Sequence, residues 1–153
     1  MTDLIKRGGL WYDIVGANPT ELLGTLVNTI TVPDSIDRQI LLQAILEREA
    51  LMPTAMGYGI ALPHPRSPLL KDPQEQFVSI IFPRQPIDWK ALDGIGVDIV
   101  VLIVSASAKQ HLKTLSRVNF LCQHESFRTL LHSRPTQESL IDAIHAIEET
   151  WRD

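Results

Sequence analysis

Three side chains of this sequence could work together on an anionic group: His64, Arg48 and His111. His64 sits in the stretch GYGIALPHPRSP, residues 57–68, held between Pro63 and Pro65. Proline fixes its own φ and biases the residue before it towards extended backbone. Leu62 and His64 both precede a proline, so the stretch should leave a strand as a short, stiff arm. Arg48 falls inside the apolar stripe formed by Ile40, Leu41, Ala44, Ile45 and Leu51 when the segment is wound at 100° per residue. His111 falls within a second stripe of Ala108, Leu112, Leu115, Val118, Asn119 and Cys122, and in a first helical turn. There, free backbone N–H groups favour an anion and keep an imidazole neutral. A neutral imidazole attacks phosphorus, and a guanidinium matches phosphate oxygens with two parallel hydrogen bonds. The set suits a transiently phosphorylated histidine. Taken singly, each residue also has an ordinary role. His64 could be solvated in a turn, Arg48 could complement the dipole at a helix end, and His111 could sit at a core edge.

The elements that must position these residues alternate between helix and strand. Residues 1–17 read as an irregular or short-strand lead-in around Gly8-Gly9. Asn18-Pro19-Thr20-Glu21 is a helix start, with Asn as cap and Pro in the first turn, opening a helix over roughly 19–31. Ser35 is the expected cap of a second helix, about 36–51, closed by Pro53. A β segment over 54–62 and the histidine arm follow, then a loop rich in proline and charge to residue 76. FVSIIF (77–82) and VDIVVLIV (97–104) are apolar on both alternating faces, as strands in the middle of a covered sheet are. Between them a loop is expected, with a short edge strand near Ile87 to Lys90. Ser105 or Ser107 caps a third helix over about 108–123. A short helix near 125–132 follows, and Thr136 caps a last one reaching about residue 150. This order predicts an α/β fold, a small mixed β-sheet with helices on both faces, in a single domain spanning 1–153.

Composition excludes several classes. With 44% hydrophobic and 21% charged residues the chain can build a core without staples. A net charge of −4 does not suit a surface that grips nucleic-acid phosphates, so no direct nucleic-acid partner is expected. Cys122 is the sole cysteine, which rules out an intramolecular disulfide and a thiolate metal cage and points to the cytoplasm. The N-terminus has no apolar signal core, and no apolar run reaches bilayer length, so no membrane insertion is expected. A hydrolase built on His64 with Asp88 or Asp93 lacks a Gly-x-Ser-x-Gly elbow, a His-Glu-x-x-His motif and a Gly-Lys-[Ser/Thr] loop. His124, His132 and His145 lack close ligand spacing and are expected on solvated helix faces, as is Glu148-Glu149. Neither metal nor organic cofactor is called for.

The stretch LLQAILEREALMPTAMGYGIALPHPR resembles the signature of phosphotransferase-system enzyme IIA domains of the fructose/mannitol type, a family that includes a nitrogen-regulatory branch. That signature is a helix ending in Arg-Glu, a small-residue segment, and Gly-x-Gly-[Ile/Val]-Ala-[Ile/Leu/Val]-Pro-His. Its arginine and histidine are 16 residues apart, as Arg48 and His64 are here. His111-Leu112-Lys113-Thr114-Leu115 matches the family's His-Leu-x-x-Leu helix start. The resemblance runs from about residue 4 to 150. It implies the mannitol-type IIA α/β sandwich. It also implies that His64 accepts a phosphoryl group from a phosphohistidine on a small carrier, HPr or its nitrogen-branch equivalent. The group then passes to a IIB domain or is held as a signal for a regulatory target protein. His111 would hydrogen-bond the phosphoryl group or steady the His64 ring, and Arg48 would neutralise its charge. Two positions depart from the pattern. Tyr58 stands where the family often has Asn or an acid, and Pro65-Arg66 replace a common Gly-Lys or Gly-Thr, with Arg66 offering a further cation.

Overall fold

The computed structural model describes residues 1–151. Six helices, α1 (Thr2–Gly8), α2 (Pro19–Thr29), α3 (Arg38–Leu51), α4 (Ala108–Cys122), α5 (Glu125–His132) and α6 (Gln137–Glu148), surround one sheet. Its strands are β1 (Leu10–Ile14), β2 (Ala55–Gly57), β3 (Ile60–Ala61), β4 (Phe77–Pro83) and β5 (Ile99–Val104), in the order β1-β4-β5-β3-β2. β1 is parallel to β4 and β3 to β5, whereas β4 is antiparallel to β5 and β2 to β3. The expected mixed α/β sheet is therefore present.

The sheet is covered on both sides because β4 and β5 are buried at every position. Their alternating residues feed two separate cores. Val100, Leu102 and Val104 pack with Leu22, Leu26, Leu41 and Ile45 of α2 and α3. Ile99, Val101 and Ile103 pack on the other face with Ile5, Val118, Leu131 and Ile144, which come from α1, α4, α5 and α6. Arg48 and His111 thus start from opposite faces of the sheet, and can meet only over a strand end.

The expected caps of α2, α4 and α6 are present: Asn18 accepts from Glu21 N–H, Ser107 from Gln110 N–H, and Thr136 from Ser139 N–H. Several local expectations need correction. The lead-in contains a helix, α1, which has no side-chain cap and is held by burying Ile5 against β4. Asp37, not Ser35, caps α3, its carboxylate accepting from the N–H groups of Gln39 and Ile40. The β segment over 54–62 is a tight hairpin, and the edge strand near Ile87 is reduced to one bridge, Ile87 to Val97. The wheels were out of phase at their rims. Ile40, Leu51 and Leu112 are exposed, and Asn119 is on the solvent side.

Gly8 ends α1 where the helix meets β4, and a Cβ there would lie 2.0 Å from the Val78 carbonyl oxygen. Because the obstacle is backbone, the helix itself would have to move. Gly8→Ala should lower the unfolding free energy by about 2 kcal/mol or more, read as a shift of the urea midpoint; an unchanged midpoint would show that α1 is not held this closely.

Candidate active site

The arm that carries His64 is fixed at each step. Glu49, near the end of α3, accepts hydrogen bonds from Thr54 N–H and Thr54 Oγ1–H, each at 2.6 Å. The Thr54 carbonyl accepts from Leu62 N–H at 3.1 Å, and the Pro63 carbonyl accepts from Ile103 N–H at 3.2 Å. Pro63 and Pro65 are buried and His64 between them is half-buried. Its Nδ1 lies 2.8 Å from the Leu62 carbonyl oxygen. A carbonyl can only accept, so Nδ1 carries the proton and Nε2 keeps its lone pair. β3 runs parallel to β5, and His64 and α4 both follow directly from the carboxyl ends of these strands. Open α/β sheets place their sites at such strand ends.

The three residues singled out in the sequence come together there. The His64 and His111 rings are 4.6 Å apart between centroids and tilted by 39°. Arg48 reaches the pair from α3, and its charge is felt by both imidazoles. Its one hydrogen bond runs from Nη1 to the Met52 carbonyl oxygen at 2.9 Å, and among the described residues it has no ion pair. A half-buried guanidinium without an acidic partner, beside two imidazoles, leaves room for an anion. The His111 ring has no hydrogen-bond partner among the described residues, so it is free to donate.

The surroundings shift both rings towards the neutral form. Burial is the largest influence lowering the pKa of His64; Arg48 lowers it further, whereas the bond to Leu62 and the Glu49 carboxylate raise it. Burial also leads for His111, followed by His64 and then Arg48, all downward.

Glu49 is a site residue that helical periodicity does not single out. Its signal was the Arg-Glu helix ending followed five positions later by a threonine. Tyr58 is at the other end of β3 from His64, so the departure there does not touch the site. Tyr58 and Gly59 form the hairpin turn with φ of 59° and 77°, as a type I′ turn requires. A tyrosine is disfavoured at positive φ, but here Tyr58 N–H donates to Asp93 at 2.9 Å and its ring carries Arg128 at 4.1 Å. Its carbonyl oxygen lies 2.8 Å from His132 Nε2, and His132 Nδ1 is 3.0 Å from the Asp98 carboxylate. His132 is exposed as expected, and it also ties α5 to the hairpin. His124 Nδ1 lies 2.9 Å from the Phe120 carbonyl, whereas His145 is exposed as expected. Glu148 is likewise not simply solvated, since Arg117 pairs with it. No group of three or more potential metal ligands occurs among the described residues, and none of their helices is long and apolar enough to cross a membrane.

Fold and site define an α/β sandwich that brings two histidines, and an arginine without an ion pair among the described residues, to the carboxyl ends of two parallel strands. The chain belongs to the phosphoenolpyruvate-dependent sugar phosphotransferase system EIIA 2 family, whose model matches residues 10–147. It is similar to a nitrogen regulatory protein of Pseudomonas aeruginosa, 28% identical over 148 residues that make up 94% of each chain. Among solved structures it resembles nitrogen regulatory protein IIA-Ntr from Neisseria meningitidis, with a TM-score of 0.76 at 21% identity over 94% of both chains. It also resembles enzyme IIA-Mtl of Escherichia coli, solved in complex with phosphorylated enzyme IIB-Mtl. The TM-score there is 0.67 at 17% identity, over 90% of this chain and 94% of that one. The fold implied by the sequence signature is thus the fold observed.

Two outcomes follow. The Glu49 carboxylate raises the His64 pKa, so Glu49→Gln should lower the His64 titration midpoint measured by NMR; an upward shift would contradict the assigned field. Both imidazoles bind a proton less readily folded than unfolded, so as pH falls through the ordinary value of 6.5 the unfolded chain takes up protons first. Stability should therefore drop as pH is lowered from 7 towards 5, and His64→Gln with His111→Gln should flatten that drop in urea titrations. A drop of the same size in the double variant would remove these rings as its cause.

Proposed function

We propose that this protein is a phosphocarrier whose His64 Nε2 accepts a phosphoryl group from a phosphohistidine on a small HPr-like carrier. The observation that carries this reading is the free Nε2 lone pair on a proline-locked arm, in a ring 4.6 Å from that of His111 and within the field of Arg48. At pH 7 an imidazole of ordinary pKa is already roughly three-quarters neutral, and the downward shift increases that fraction. As the N–P bond of the donor breaks, a new N–P bond forms at Nε2 and the Nδ1 proton stays shared with Leu62. Phosphoryl transfer depends on positioning and charge neutralisation. Arg48 and a donated His111 N–H supply the second, and no metal or organic cofactor takes part.

The face around the site suits brief docking: Leu51, Met52 and Leu112 are exposed there beside polar neighbours. The group then passes to a IIB domain, as the complex formed by the mannitol relative suggests. Alternatively it stays as a mark that selects a regulatory partner, a second reading favoured by the end-to-end likeness to a nitrogen regulatory protein. A lone buried thiol fits residence in the cytoplasm.

Incubation with the phosphorylated carrier should add one acid-labile, base-stable phosphoryl group, detected by intact mass. His64→Ala should abolish it, and undiminished uptake in that variant would put the acceptor elsewhere. Arg48→Ala should keep its fold and slow transfer by roughly 10²-fold, the usual effect of removing one charge-stabilising donor. Capture of a partner by only one phosphorylation state would select the regulatory output; weak binding in both states would select the relay.

A further inference from the structure

Beside the two histidines, between residues 65–68 of the arm and the first turn of α4, lies a cleft of about 200 Å³. His111 forms part of its wall, but His64 does not line it. The volume holds roughly seven water-sized groups, too few for a nucleotide or a sugar phosphate and enough for a small metabolite. Pro65, Pro68, Ile103 and Leu112 make most of the lining apolar.

The polar groups are few, and they point to one anionic end. Ser105 is only 6% exposed as a residue and lines the cleft; its hydroxyl makes no hydrogen bond among the described residues and is not one of the sealed, unpartnered polar atoms, so it is open to the cleft. Arg66, at the mouth, has no ion pair among the described residues. The first turn of α4 adds the N–H groups of Ala108 and Lys109, which have no intrahelical acceptor; those of Gln110 and His111 are taken up by Ser107.

We propose that this cleft binds a short-chain monocarboxylate. The carboxylate would lie between the Arg66 guanidinium, the Ser105 hydroxyl and the α4 N-terminus, with its chain against Pro65, Pro68, Ile103 and Leu112. A planar carboxylate matches the guanidinium fork, while apolar walls leave a tetrahedral phosphate dianion short of donors. Since His111 and Pro65 belong to both places, an occupied cleft braces two neighbours of the His64 ring. That consequence rests on the phosphocarrier reading, whereas the binding itself does not.

The test is a ¹⁵N–¹H NMR titration of the unphosphorylated protein with sodium butanoate, and separately with butanamide and with inorganic phosphate, at constant ionic strength. Butanoate should give saturable shifts at the Ser105, Ala108 and Lys109 amides, with a dissociation constant on the order of 1 mM for so small a ligand. Butanamide should bind at least tenfold more weakly. Arg66→Gln and Ser105→Ala, at an exposed and a small side chain, should each weaken butanoate at least fivefold. Non-saturating shifts, equal binding of butanamide, saturation by phosphate alone, or full affinity in both variants would overturn the proposal. Because no phosphoryl donor is present, failure here and failure of His64 as an acceptor are separate results.

Discussion

The hydrogen bond from His64 Nδ1–H to the Leu62 carbonyl determines what this site can do. It settles the tautomer, leaves the lone pair on Nε2, and removes one rotational freedom from a ring already mounted between two prolines. An imidazole without that restraint would present either nitrogen in turn. Because the acceptor is the backbone of the residue two positions earlier, the ring can be no better ordered than the arm itself. The quality of the site is therefore a question about what holds residues 62–65.

Two sets of bonds hold them, one from each direction. Pro63 is tied to β5 through Ile103, extending the parallel pairing of β3 past its last strand residue. Leu62 is tied to Thr54, and Thr54 to the Glu49 carboxylate through both its amide and its hydroxyl. The same α3 turn thus carries Arg48, which adjusts the charge around the imidazole, and Glu49, which fixes the arm. Adjacent helix residues point about 100° apart, so one can face the rings while the other faces the chain that carries them. The opposing influences of Arg48 and Glu49 on His64 follow from that arrangement. Burial remains the dominant one, because the arm and α4 together shield the ring.

Much of this was legible in the sequence where the pattern was strong. Two strands apolar on both faces announced a covered sheet, and caps at Asn18, Ser107 and Thr136 placed three helix starts. His64 stood out because two prolines hold it at the end of an apolar run, and Arg48 and His111 because each was a polar type inside an apolar helical stripe. The sequence was less informative where tertiary contact decides. Helix α1 has no cap and only seven residues, so nothing local marks it. Ile40, Leu51 and Leu112 looked like core at helical spacing, yet they project into solvent at the rims of their stripes. Glu49 and Ser105 did not stand out because an exposed-looking acid and a helix-approach serine are common, and only their partners, or the lack of one, set them apart.

The measurement closest to the central claim is the identity of the nitrogen that bears phosphorus. In ³¹P–¹⁵N correlation spectra of the phosphorylated protein, the coupling should appear at Nε2 of residue 64, with Nδ1 still protonated. Coupling at Nδ1 of that ring, or at either nitrogen of residue 111, would mean that the carbonyl does not fix the reactive atom.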